Sequence, residues 1–145
     1  MAQTSAIPIL KLREFLIVSI QVDLHDKMAE QLQHDILKRI SETSAKGVLV
    51  DISALETVDS FIGRTLAETA RMAGILDAEL VIVGMPPSVA STFVELGLSM
   101  GGVRTAINLD EGYDMLEAYI EGQISHKKIS QTEGEEEVGD EADRD

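Results

Sequence analysis

The chain of 145 residues contains no cysteine and no tryptophan, and aromatic residues make up only 3% of it. The lack of cysteine excludes disulfides, thiolate catalysis and zinc sites built on cysteine. The scarcity of aromatic rings argues against surfaces on which nucleic-acid bases stack. Apolar residues still amount to 44% of the chain. That content predicts one globular domain with an aliphatic core.

Positive charge is also scarce, because 12 lysines and arginines stand against 26 aspartates and glutamates, for a net charge of −14. Nine of the acids and three of the bases lie in residues 121–145, so body and tail are both acidic. This balance disfavours counterion-release binding to nucleic acid and docking on an anionic membrane. We therefore expect no nucleic-acid or membrane partner, and a basic protein surface is easier to accommodate.

No apolar run in the sequence approaches the roughly 20 residues that span a bilayer. The N-terminus lacks the basic stretch and following apolar stretch of a signal peptide. We therefore expect a cytoplasmic protein. After Gly122 the sequence becomes polar and acidic, with too few apolar residues to offset chain entropy. This change predicts a domain over 1–122 and a disordered acidic tail over 123–145.

Short β-branched segments alternate with amphipathic ones along the first 120 residues. Strands are predicted at 7–13, 15–22, 47–52, 78–84 and 103–108. Helices are predicted at 26–42, 60–74, 86–96 and 110–120. Asp23 or Asp26 can cap the first helix. The order β-β-α-β-α-β-α-β-α predicts an α/β domain with a mixed, mostly parallel sheet of about five strands and about four helices.

Common cofactor and catalytic motifs are missing from the sequence. The glycine-rich stretch 97–102 lacks the Lys-Ser/Thr pair of a phosphate loop and follows a helix, so its glycines are expected to form turns and a helix cap. His25, His34 and His126 do not have the spacing of metal ligands. No Gly-x-Ser-x-Gly elbow provides a hydrolase nucleophile. We predict neither a cofactor nor a metal.

Two aspartates allow an enzymatic alternative. Asp51 lies in a predicted buried strand and Asp59 at the next helix start, so both fall near the carboxyl edge of the sheet. Such a pair can bind Mg²⁺ or act as acid and base. The plainer interpretation is that Asp51 bonds a loop or faces solvent and Asp59 caps the helix. We favour it because neither a third ligand nor a phosphate motif is present.

Ser60 stands at the start of the second predicted helix, directly after Asp59. Either residue can cap that helix, and neither register forms a capping box, since Ile62 or Gly63 would be its third residue. If Asp59 caps, Ser60 presents a free hydroxyl. A phosphate there is favoured by the helix terminus and opposed by Asp59, by similar energies. Phosphorylation would then change a surface and leave the fold constant.

The segment 50–64, Val-Asp-Ile-Ser-Ala-Leu-Glu-Thr-Val-Asp-Ser-Phe-Ile-Gly-Arg, resembles the signature of STAS domains, the sulfate-transporter and anti-sigma-factor-antagonist family. In that family a buried strand and a loop lead to Asp-Ser or Asp-Thr at a helix start. Two further parts resemble the small single-domain scaffold of the bacterial stressosome, the RsbS type. One lies within residues 7–21 and contains Ile-Pro-Ile-Leu-Lys-Leu and Leu-Ile-Val-Ser-Ile-Gln. The other is residues 84–97, Gly-Met-Pro-Pro-Ser-Val-Ala-Ser-Thr-Phe-Val-Glu-Leu-Gly. The resemblance covers about residues 5–120.

The resemblance implies a non-enzymatic protein that assembles with sensor STAS paralogues of the RsbR type into a large homo- and hetero-oligomeric complex. That complex holds a switch kinase of the RsbT type. Under stress the kinase would phosphorylate Ser60 and leave to act on a module that controls an alternative sigma factor or another output. A phosphatase of the RsbX type would reset the switch. The alternative is a soluble antagonist that binds an anti-sigma kinase one-to-one.

The resemblance also assigns roles to residues around the serine. The environment of the phosphosite and the contact with the kinase would be formed by Thr57, Asp59, Gly63 and Arg64. Thr92 matches a second phosphorylated threonine of the sensor paralogues. As a helix residue it can instead bond the preceding turn through its hydroxyl.

Overall fold

The computed structural model describes residues 7–95, 97 and 103–122. Strands and helices alternate in the predicted order. The elements are β1 (Ile9–Leu12), β2 (Phe15–Ser19), α1 (Asp26–Thr43), β3 (Gly47–Asp51), α2 (Ser60–Ile75), β4 (Glu79–Val83), α3 (Pro87–Glu95), β5 (Arg104–Ala106) and α4 (109–122). The predicted acidic tail, 123–145, lies outside the described residues.

The five strands form one sheet in the order β1-β2-β3-β4-β5. β1 pairs antiparallel with β2, and the other three pairings are parallel. The predicted mixed, mostly parallel sheet is therefore confirmed. The first two strands are joined by a tight turn in which Arg13 adopts a left-handed φ of 57°. The parallel pairs need crossovers, which α1, α2 and α3 provide.

Helices cover both faces of the sheet. Alternate residues of each central strand point to opposite faces, so Val48 and Val50 join the core under α1, α2 and α3, whereas Leu49 packs with Leu116 of α4. One face of α2 is buried, and it includes Ile62, Leu66, Thr69, Ala70 and Ala73. Each helix follows the carboxyl end of a strand, so all four helices begin at the edge of the sheet where β2 to β5 end.

The start of α1 differs from the prediction that Asp23 or Asp26 caps it. The N-cap position is His25, whose backbone is extended and whose side chain makes no capping hydrogen bond. Asp26 is already the first helical residue. Its carboxylate therefore contributes negative charge to the first turn, which suits the helix dipole, but it does not cap.

α4 lies unusually close to the sheet because glycines occupy the contact. A β-carbon added at Gly112 would lie 2.6 Å from Val83 Cγ1 and 2.8 Å from Leu49 Cδ2. One added at Gly47 would lie 2.7 Å from Leu116 Cδ1. Contacts below 3 Å require neighbours to shift. The close approach of this helix therefore depends on the missing side chains.

Candidate functional site

Asp59 caps α2, and Ser60 is the first residue of that helix. The backbone of Asp59 is extended, with φ −86° and ψ 178°. Its Oδ1 accepts a hydrogen bond of 2.9 Å from the backbone N–H of Ile62, and its carbonyl accepts one of 3.0 Å from Gly63. The first bond satisfies one of the N–H groups that a helix start leaves without an intrahelical partner, and the second is the first backbone bond of the helix itself. The cap thus falls on Asp59 and leaves the serine hydroxyl out of this role.

The Ser60 side chain is half-exposed. Its hydroxyl makes no hydrogen bond to any other residue in the described part of the chain. Phe61, which follows it, is half-buried and packs against the core under α1, α2 and α3. The serine is thus fixed on a packed helix while its hydroxyl is available, which is the arrangement that modification from solvent requires.

The predicted neighbours of Ser60 fall into an exposed group and a buried one. Thr57 and Arg64 are exposed, and so is the Asp59 side chain, whereas Gly63 is buried against the core side of α2. Arg64 follows Ser60 by four residues on α2, and residues so spaced are neighbours on a helix surface. A group attached to Ser60 would therefore lie between one carboxylate and one guanidinium.

The loop that leads to Ser60 is fastened to the core at two points. Leu55 and Val58 are only 2% and 5% exposed, although both lie outside regular secondary structure. Ile52 N–H also donates to the Val83 carbonyl at 3.1 Å. Between the two apolar anchors, Glu56 and Thr57 are exposed. The exposed surface beside the serine is therefore a short segment whose two ends are anchored in the core.

Thr92 lies in a different environment, on α3. It is half-buried, and its Oγ1 donates a hydrogen bond of 3.1 Å to the Ser88 carbonyl one turn earlier. This is the back-bonding that helical threonines commonly make. A phosphoryl group could be added to Thr92 only after this bond is broken, whereas no hydrogen bond within residues 7–95, 97 and 103–122 constrains the Ser60 hydroxyl in this way.

Asp51 and Asp59 do not share a site in the structure. Asp51 is half-buried and its Oδ1 accepts from Ser53 N–H at 2.9 Å. It lines a shallow cleft of about 400 Å³ at the end of β3, which Gly84 and Asp110 also line and Asp59 does not. Within the described residues, no group of three or more His, Asp or Glu side chains is placed to hold a metal ion. Each carboxylate has a local backbone partner instead, as the plainer interpretation predicted.

None of the described helices combines the length and the apolar content that crossing a membrane requires.

Comparison with known proteins places this chain in a family. The family model described as the STAS domain matches residues 6–110. A solved structure of RsbS from Moorella thermoacetica, in a variant with one serine replaced by glutamate, is 38% identical, with a TM-score of 0.71. The match covers 79% of this chain and 97% of that one. A chain in the structure of the stressosome, described as a signal integration and transduction hub, is 37% identical. Its TM-score is 0.64, and the match covers 78% of this chain and 98% of that one.

Relatives of greater length also match. RsbT co-antagonist protein RsbRA of Bacillus subtilis (strain 168) is 24% identical over 84 residues, which are 58% of this chain and 31% of that protein. The chain spans about a third of the length of the curated relatives it matches. The predicted resemblance to the stressosome scaffold type is confirmed by these matches. With a family model that covers residues 6–110, the chain belongs to the STAS domain family.

Proposed function

We propose that this chain is a non-enzymatic scaffold of a cytoplasmic stressosome, which sequesters a switch serine/threonine kinase and releases it when Ser60 is phosphorylated. The observation that carries the proposal is the start of α2, where Asp59 caps the helix and the Ser60 hydroxyl, on a packed helix, makes no hydrogen bond to another described residue. The similarity to RsbS and to a stressosome chain supports the assembly. The similarity to an RsbT co-antagonist supports a kinase of the RsbT type as partner.

The remaining partners follow from the same similarity. A sensor paralogue of the RsbR type would share the assembly with this chain, and a phosphatase of the RsbX type would remove the phosphate. The released kinase would act on a pathway that controls an alternative sigma factor or a related stress output. Arg64, Thr57 and Asp59 lie around the serine on the exposed side and would meet the kinase.

The phosphate would act on the partner and not on the fold. It adds about −1.5 to −2 charges and three acceptor oxygens at neutral pH. On the free domain those oxygens remain in water beside the helix N-terminus. In a contact that covers Ser60 they would lose water without gaining enough donors, which is costly for a charged group. Binding of the kinase should therefore weaken while the domain stays folded.

The direct test is incubation of the full chain with an RsbT-type kinase and ATP, followed by mapping of the modified residues. We expect phosphate on Ser60 in the wild type and none at that position in Ser60→Ala, with Thr92→Ala as the matched control. Kinase binding should fall on phosphorylation. Phosphate at other residues only, or unchanged kinase binding after full modification of Ser60, would contradict the proposal.

The size of the complex separates this function from that of a one-to-one antagonist. Mixed with a sensor paralogue and the kinase, the chain should form a particle far larger than a heterodimer, measurable by light scattering after gel filtration. A complex with one copy of each protein would favour the antagonist instead.

A further inference from the structure

Glu56 and Thr57 are exposed residues of the loop that precedes α2, and a residue outside that loop contacts their backbone. Residues 53–58 run between the end of β3 and the cap, and their backbone bonds are local, such as Leu55 N–H to the Ile52 carbonyl at 3.0 Å. Leu55 and Val58 are buried, but the peptide groups of Glu56 and Thr57 lie at the surface between them. Apolar anchors fix the ends of such a segment and leave the orientation of its middle free.

Ser88 supplies the missing restraint. Its Oγ donates a hydrogen bond of 3.1 Å to the Glu56 carbonyl, across 32 residues of sequence. Among the described residues, the only other side-chain hydrogen bond that joins residues 53–58 to another element is the one from Ser53 N–H to Asp51 Oδ1, at the end of β3. Ser88 is itself held firmly, because it lies in the first turn of α3 and the next residue, Val89, is fully buried. The donor therefore belongs to a fixed part of the fold and the acceptor to the adjustable part.

We propose that Ser88 is a positioning residue, which sets the surface that the kinase meets beside Ser60 by holding the Glu56 carbonyl. This inference rests on the proposed function. The hydrogen bond is exposed, so water can replace it when the hydroxyl is removed, and the domain should stay folded. What changes is the fraction of molecules in which residues 56 and 57 adopt the recognised arrangement. When only a fraction of the molecules can bind, the apparent affinity falls by that fraction.

The expected change in KM follows from the net free energy that one hydrogen bond contributes. A net contribution typical of a protein hydrogen bond corresponds to about threefold to tenfold in a local equilibrium. Ser88→Ala should therefore raise the KM of the kinase for this chain by up to about tenfold, a limit that is reached when most molecules of the variant have left the recognised arrangement. Because the bound arrangement and the serine are unchanged, kcat should stay the same. Ser88→Thr keeps the hydroxyl and should restore the wild-type KM.

The control is Ser91→Ala, a loss of the same hydroxyl from an exposed position on the same helix. Kinetics of Ser60 phosphorylation would be measured for wild type, Ser88→Ala, Ser88→Thr and Ser91→Ala. In parallel, backbone order parameters of residues 56 and 57 would be measured by nitrogen-15 relaxation in the full chains without kinase. We expect lower order parameters there in Ser88→Ala only, and a raised KM in Ser88→Ala only.

The two measurements distinguish failure of this inference from failure of the proposed function. Equal order parameters in Ser88→Ala and wild type would overturn the positioning role, whether or not the kinase acts. Lower order parameters with an unchanged KM would overturn its role in recognition. A wild-type chain that the kinase does not phosphorylate on Ser60 would instead overturn the proposed function, and this inference would fall with it.

Discussion

Asp59 and Ser60 are neighbours, yet the structure predicts that truncating the first lowers the stability of the domain and that truncating the second does not. Asp59→Ala removes the acceptor of the 2.9 Å hydrogen bond from Ile62 N–H. Replacement of a capping aspartate by alanine typically costs about 1 kcal/mol, within a range of roughly 0.5–2 kcal/mol. The first turn of α2 also holds the buried Ile62 side chain in the core, so fraying there exposes apolar surface. We therefore expect a loss of about 1–2 kcal/mol in the free energy of unfolding.

Ser60→Ala should behave differently. The hydroxyl has no hydrogen-bond partner in the described part of the chain, and surface substitutions of this kind usually stay within about 0.5 kcal/mol of the wild type. Asp59→Asn is the matched control, because an amide oxygen keeps the cap acceptor while the charge is lost, and asparagine is as good a capping residue as aspartate. Its stability should stay close to that of the wild type.

The assay is urea unfolding of the four full chains, followed by far-ultraviolet circular dichroism and analysed with a common slope. We expect Asp59→Ala to be destabilised and the other three chains to have similar stability. Of those three, Ser60→Ala alone cannot be phosphorylated at this position. A loss in Ser60→Ala as large as that in Asp59→Ala would show that the serine holds the cap. The separation of structural and regulatory roles would then be wrong.

Three further outcomes are expected. Gly112→Ala should lose about 1–2 kcal/mol in urea unfolding, because crowding against Val83 exceeds the helix-propensity gain, whereas Gly74→Ala, which meets nothing within 4 Å, should gain up to about 1 kcal/mol; equal effects would contradict the close packing of α4. Thr92 should be modified far more slowly than Ser60 in a time course by mass spectrometry, since its hydroxyl is already bonded; equal rates would refute this. Ser60→Asp should keep the wild-type circular dichroism and bind kinase more weakly in titration calorimetry; a collapsed spectrum would contradict a surface switch.

The elements predicted best from sequence are those whose pattern is set by burial. α2 shows its apolar residues at helical spacing, and they are buried as expected. Strand ends were predicted less well, because a strand continues only where its neighbour does. β2 was expected to reach Val22, but its pairing with β3 ends at Ser19 and Val22 is 51% exposed.

The candidate site was only partly accessible to sequence analysis. The order Asp59-Ser60 before a helical pattern is a local signal, and it was sufficient to consider the cap. The apolar residues Leu55 and Val58 in an otherwise polar loop are a further local signal, since such residues indicate a loop that is anchored to the core. The bond from Ser88 to the Glu56 carbonyl joins residues 32 apart and leaves no local pattern. Only the packing of α3 beside the loop reveals it.

A switch at Ser60 can work only if the same charge is tolerated by the fold and not by the contact. On the free domain the helix N-terminus favours a phosphate by about 0.3–1 kcal/mol and Asp59 opposes it by a similar amount. Arg64, one turn later, adds about 0.2–0.5 kcal/mol in its favour. The sum is small beside a typical domain stability of about 5–15 kcal/mol. Burial of a charge without a matched partner costs several kcal/mol, which corresponds to a factor of hundreds or more in affinity. The proposed release of the kinase therefore requires no change in the shape of the domain, only a contact that covers this hydroxyl.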